Sequence, residues 1–191
     1  MKSFLKAITI CIIVFGCKTG SEIKTLIGNK IVFPEDIYSI DIDRGQLIKD
    51  SISDDIIKIV IWFDSIGCNQ CRLKSIYNYG FVEDYCNDTL KNECYLVEIF
   101  SPSKGQLKDI VLFVWENNLD IPIVLDIKNE FQQLNPMLPK NDKYHSFLLN
   151  KENEIVLVGP PNYNHKMWSL YKSLINSYGI NNENVAIHDN N

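Results

Sequence analysis

Ile56-Ile57-Lys58-Ile59-Val60-Ile61-Trp62-Phe63 is an almost unbroken run of β-branched and aromatic residues, followed by Asp64-Ser65-Ile66-Gly67 and then by Cys68-Asn69-Gln70-Cys71. A strand covered on both faces has this composition. Beyond the cysteines, apolar residues recur at Leu73, Ile76, Tyr77 and Phe81, the spacing of one helix face, as far as about Tyr85. The cysteines therefore stand where a buried strand turns into a helix. At a helix N-terminus the unpaired N–H groups and the positive end of the dipole favour a thiolate, which lowers the pKa of the first cysteine. Two intervening residues let one helical turn bring the sulfurs into disulfide geometry. On this reading Cys68 attacks and Cys71, one turn further in, resolves the mixed disulfide. Arg72 and Lys74 follow closely and either add positive charge beside the thiolate or face solvent. A redox-active dithiol, a permanent disulfide and a metal-binding pair all remain open on these residues alone.

The same alternation continues outward. Cys94–Phe100 reads as a second strand, and Ser103 as the cap of a helix from Lys104 to Asn117 with Leu107, Ile110, Val111, Val114 and Trp115 among its apolar positions. Ile121–Leu125 is a short strand whose proline suits an edge or a first position. One or two helical turns fall at Asn129–Leu134, before the loop with Pro136 and Pro139. Ser146–Leu149 and Glu154–Val158 then form a hairpin through the polar turn Asn150–Asn153, and a last helix runs from about Asn164 to Tyr178. The predicted class is α/β, a central mixed sheet flanked by helices on both faces.

The N-terminus has a different character. Lys2 and Lys6 precede the apolar stretch Ala7–Phe15 and Gly16-Cys17, the layout of a secretory signal peptide. The stretch is too short for a permanent transmembrane helix. Val14-Phe15-Gly16-Cys17 resembles a bacterial lipobox, so Cys17 is the expected lipidation site and residues 1–16, Cys11 included, the removed signal. The loss of Lys2 and Lys6 takes the net charge from −5 to −7. The expected organisation is a lipidated tether at 17–50 with a short edge strand at Lys30–Pro34, one domain at 51–178, and a disordered Asn-rich tail at 179–191. The expected location is the bacterial cell envelope, with a lipid anchor holding a soluble domain at a membrane in the periplasm or at the outer membrane.

A chain of 191 residues, 46% of them hydrophobic, supports one core, and its acidic balance argues against nucleic acid as a partner. A core of that size does not need disulfides, so the six cysteines call for other uses. Cys86 and Cys94 flank a short loop, and in an oxidising envelope the expected state is a structural disulfide worth about 2–3 kcal/mol. A zinc site joining all four internal cysteines is disfavoured, because a continuous helix from Cys71 to Cys86 would separate the pairs by roughly 22 Å.

Ile59 to Leu73 with its C-x-x-C, the strand, helix, inserted strand and helix that follow, and then Phe147-Leu148-Leu149-Asn150 with Glu154-Ile155-Val156, resemble the thioredoxin-like superfamily. Within it the chain is most similar to the TlpA/ResA branch of membrane-anchored thiol-disulfide oxidoreductases, over residues 56–178. The resemblance implies an oxidoreductase that acts on protein thiols and disulfides in the envelope, exchanges electrons with a donor or acceptor protein, and needs no cofactor or metal. Gly67 stands where the family has Trp, Lys74 where the branch has an acidic residue, and Tyr144 where a cis-proline faces the dithiol. Tyr144 and His145 are the substrate-loop candidates. A non-catalytic thioredoxin-fold binding module with a structural disulfide and a Cu(I)-binding module using His145 are the alternatives. His165 and His188 carry no signal.

Overall fold

The apolar run at the start of the domain becomes an interior strand of a seven-stranded sheet. The computed structural model describes residues 23–66, 69–89, 93–103, 105–119 and 123–180, with the backbone alone at 69–71, 89 and 180. Its strands are β1 (Ile37–Asp41), β2 (Gln46–Asp50), β3 (Ile57–Phe63), β4 (Cys94–Phe100), β5 (Ile123–Leu125), β6 (Ser146–Leu149) and β7 (Ile155–Val158), in the order β2-β1-β5-β4-β3-β6-β7. β3 and β4 run parallel in one register from Ile57 opposite Cys94 to Phe63 opposite Phe100, and β5 continues the parallel set. β6 lies antiparallel to β3, and β7 to β6, so the expected hairpin is present. The helices are α1 (Asn69–Ser75), α2 (Gly80–Asp84), α3 (Leu107–Glu116), α4 (Glu130–Leu134) and α5 (His165–Ile180).

Strand alternation sorts the core into two layers. Ile57, Ile59, Ile61 and Leu96 face Val82 of α2 and Tyr171 and Ile175 of α5. On the same side Phe100, Ile123 and Leu125 pack with Leu73 of α1 and Ile110 of α3. Val60, Trp62, Val97 and Ile99 point the other way, to Phe131 of α4 and to Leu26 and Ile31 of the N-terminal segment. With both faces covered, β3 is buried almost end to end, as a near-continuous hydrophobic run requires. Lys58 lies fully buried within it and satisfies its ammonium by donating to the Ile56 carbonyl at 2.9 Å.

The helix expected to run unbroken to Tyr85 is instead a broken run. α1 tightens into a 3₁₀ turn at Ile76–Tyr79, resumes as α2, and ends in a π turn at Tyr85–Thr89. The residues it buries are Leu73, Ile76, Tyr79, Val82 and Cys86. Those positions repeat by three, three, three and four, and three residues per turn is the 3₁₀ period, so tightening keeps them on the sheet. Tyr77 and Phe81, expected on the buried face, are exposed.

The N-terminal region departs from a simple tether. Residues 23–26 form a helical turn whose Leu26 joins the core, and the expected edge strand at 30–34 is reduced to one bridge between Lys30 and Glu154. Asn135 holds the segment in place by accepting from Val32 N (2.9 Å) and donating to Val32 O (2.8 Å). Residues 37–50 extend the sheet as the β1–β2 hairpin, which turns where Asp41 accepts from the amides of Asp43 and Arg44 and where Gly45 adopts φ +61°. Ser103 does not cap α3. Gln106 reaches back to accept from the Ser103 amide at 3.1 Å, and the helix starts at Leu107. α5 runs past Tyr178 to Ile180, and the remainder of the expected tail, residues 181–191, lies outside the described residues.

Candidate active site

The site is organised by the turn at the end of β3. Asp64, buried, accepts from the Ile66 amide at 3.0 Å and pairs with Arg72 of α1 at 2.8 Å, and Arg72 donates in addition to the Asp64 carbonyl. These bonds tie the C-terminal end of the strand to the first turns of the helix across the position of the C-x-x-C. Gly67 and Cys68 lie outside the described residues, and of Cys71 the backbone in α1 is described and the side chain is not. Arg72 is thus neither turned to solvent nor left as a free cation, because its charge is engaged by Asp64, while Lys74 is exposed.

Facing this turn is the segment leading into β6. Tyr144, on a 3₁₀ turn at Asp142–Tyr144, is buried, and so is His145. No cis peptide bond occurs among the described residues, so the loop is built on trans residues at the position where the resemblance implies a cis-proline. Its backbone is satisfied internally: His145 N donates to Asp142 O (2.9 Å), His145 O accepts from Trp62 N (2.8 Å), and Ser146 O accepts from Gly159 N (2.8 Å). The imidazole lies against Trp62, with ring centroids 4.1 Å apart, and Nε2 is 2.7 Å from the Pro139 carbonyl. A carbonyl only accepts, so Nε2 carries the hydrogen and Nδ1 keeps its lone pair. Nδ1 is buried without a partner. Burial is the main cause that holds the His145 pKa below its ordinary value, which keeps the ring neutral.

Trp62 is itself fixed. Its indole N–H donates to Ser101 Oγ (3.1 Å), which donates to Asp126 (3.0 Å). Asp126 also accepts from the amides of Glu130 and Phe131 at 2.9 Å each, so a buried carboxylate both starts α4 and anchors the tryptophan beneath His145. Between the two halves of the site lies a cleft of about 330 Å³ lined by Phe63, Arg72, Ser75, Tyr79, His145 and Pro160. Ile66 and Tyr163, at 69% and 72% exposure, offer apolar surface on the turn before the cysteines and on the segment after β7.

Glu98 of β4 escaped the sequence reading. It is fully buried on the sheet face that carries Cys94, Leu96 and Phe100, and neither carboxyl oxygen has a partner. Burial, aided by the charge of Glu83, pushes its pKa up to about 8, so it is protonated at neutral pH. An acid in an otherwise apolar strand was the available signal. Burial and the Glu98 charge likewise push up the Tyr79 phenol.

Cys86 and Cys94, the expected structural pair, are brought together, both buried, with sulfurs 3.4 Å apart. Among the described residues no group of three or more His, Cys, Asp or Glu side chains is placed to hold a metal, and no helix is long and apolar enough to cross a membrane. His165 begins α5; Cys11, Cys17 and His188 lie outside the described residues.

No family model matches the chain, and no curated protein matches its sequence. Solved structures do match. A protein described as a thiol:disulfide interchange protein DsbE from Chlorobium tepidum superposes with a TM-score of 0.51 at 13% identity, over 78% of this chain and 97% of that one. A protein described as an electron transfer protein from Aquifex aeolicus gives 0.50 at 19% identity, over 81% and 96%. A protein described as a thioredoxin from Neisseria meningitidis gives 0.48 at 14%, over 85% and 100%. At these identities the likeness to the first two is one of fold, and it spans nearly the whole of each of those two chains. A central β-α-β unit, a further parallel strand and a closing antiparallel hairpin and helix agree with it: the chain has the thioredoxin-like fold.

Proposed function

We propose that the protein is a thiol-disulfide oxidoreductase of the bacterial cell envelope, anchored through a lipid on Cys17 and acting on protein disulfides through Cys68 and Cys71. The observation that carries this reading is a C-x-x-C sequence that runs from the turn after β3 into the first residues of α1, a helix whose Arg72 and Ser75 line a cleft, in a thioredoxin-like fold. The Cys68 thiolate attacks a substrate disulfide, and one substrate sulfur leaves as thiolate and takes a proton. Cys71, deprotonated, then attacks the Cys68 sulfur and releases the second substrate thiol. Two electrons have passed to the substrate, and the new Cys68–Cys71 disulfide is reduced again by a dithiol partner protein. The reverse sequence oxidises a substrate.

Substrate recognition differs from that of a cis-proline loop. Here the backbone of residues 145 and 146 is occupied within the fold and the His145 Nδ1 is buried, so contact with a substrate falls to the exposed apolar surface of Ile66 and Tyr163. Equilibration of the mature domain in glutathione buffers, with site-resolved alkylation and an insulin reduction assay, tests the reading. The expected result is a measurable Cys68–Cys71 potential and activity lost in Cys68→Ser. A pair that stays oxidised under strong reductant, with no insulin activity, overturns it in favour of a static binding module. Membrane fractionation of Cys17→Ala tests the anchor, and unchanged mature size and fractionation overturn it.

A further inference from the structure

We infer that Cys86 and Cys94 close into a disulfide while the chain folds, by exchange with a disulfide donor, and that the folded core then seals the bond against further exchange. The geometry supports the first half. Cys86 stands in the π turn that ends the broken helical run, Cys94 opens β4, and their sulfurs are 3.4 Å apart with both residues 1% exposed. A disulfide needs about 2.05 Å, so closure takes a side-chain adjustment and no rearrangement of elements. The pair does not suit the alternatives: no third ligand for a metal stands with it among the described residues. It also lies too far from the C-x-x-C to resolve it. Cys94 is opposite Ile57, at the end of β3 remote from Phe63, and six strand steps span roughly 20 Å.

Burial supports the second half. Reopening the bond requires an incoming thiolate in line with one of its two sulfurs, and the folded chain leaves both residues only 1% exposed. In the folded, reduced pair the neighbouring thiol and desolvation push the Cys94 pKa far up and keep it protonated, so closure belongs to the stage before the core packs. Before the core packs, Cys86 loses its proton to water, attacks a donor disulfide and expels one donor thiolate. Cys94 then attacks Cys86 Sγ in the mixed disulfide and expels the second. The chain gives up two electrons, and the donor leaves as two thiols. The bond ties the end of the helical run that starts at α1 to the sheet, and its formation is independent of what Cys68 and Cys71 do.

The experiment refolds the full chain from guanidine with oxidised glutathione as the donor, blocks free thiols, and reads each cysteine by peptide mass spectrometry. A linked Cys86–Cys94 peptide is expected, with a melting temperature roughly 5 °C or more above the same chain refolded in dithiothreitol. Dithiothreitol should reduce the link on the order of 100-fold more slowly in the native chain than in guanidine. Alkylation of both cysteines after oxidative refolding overturns the proposal, as does a link reduced equally fast in native and unfolded chain. Both readouts use the unaltered chain, so neither depends on a variant that folds.

Discussion

Glu98→Gln exchanges a buried carboxylic acid for a neutral side chain of the same shape, and the structure gives the sign and size of the effect. In the unfolded chain Glu98 titrates at its ordinary value of 4.5, and in the fold at about 8. Between those values the folded chain holds a proton that the unfolded chain has released, so stability falls as pH rises. It is full below pH 4.5 and stops falling above pH 8, where both states are ionised. At about 1.4 kcal/mol per pH unit, the loss from pH 4.5 to pH 7 comes to about 3 kcal/mol. The amide of the variant does not titrate, so urea unfolding at pH 4.5, 5.5, 6.5 and 7.5 should show the gap between variant and parent widening by about that amount in favour of the variant. The amide introduces two buried donors, which shifts the whole variant curve by about 1–3 kcal/mol without altering its slope. Parallel pH profiles for the two proteins would refute the reasoning, because they would mean that Glu98 keeps the same proton affinity in both states.

Asp64→Asn leaves the Arg72 charge unpaired at the turn before the cysteines and should lower the unfolding free energy by about 3 kcal/mol, while the double change Asp64→Asn/Arg72→Met should recover most of it in a urea-based cycle. Asp126→Ala removes the acceptor of two α4 amides and of Ser101, and should cost about 2–4 kcal/mol together with a change in Trp62 fluorescence. For His145 the folded pKa lies below the ordinary 6.5, so its contribution to stability is complete above pH 6.5 and is lost as pH falls through the folded value; His145→Gln should flatten that acid limb of the urea profile. Gly45→Ala forces a side chain into φ +61° with its Cβ 3.1 Å from the Trp115 ring, and should lower stability by about 1–2 kcal/mol in thermal melts.

Much of the fold could be read from residue patterns, because its core elements carry strong ones. The 56–63 run, the Cys94–Phe100 strand and the Asn150–Asn153 turn each combine a period with an end signal, and each forms as expected. Where patterns were ambiguous, tertiary packing decided. Ile76, Tyr77 and Phe81 fit an ordinary α-helical face, but the sheet is met by a spacing of three, so the helix tightened and turned Tyr77 and Phe81 outward. The β1–β2 hairpin was missed because its strands are short, polar on one side and stabilised by an edge that β5 provides from far along the chain. At the candidate site, the strand-turn-helix frame around the cysteines was legible. The Asp64–Arg72 pair, the Trp62–Ser101–Asp126 chain and the Nδ1 of His145 were not, since each joins residues whose proximity only the folded sheet creates.

The packing of the N-terminal segment sets a reach. Ile23 already lies against the core, and Leu26 and Ile31 are within it, so under the proposed lipid attachment at Cys17 only residues 18–22 separate the membrane surface from the domain body. Six fully extended peptide steps cover roughly 20 Å at most. Under the proposed attachment and activity, a domain on so short a leash works on disulfides presented close to its own membrane, and partners in the opposite membrane would have to bring theirs across.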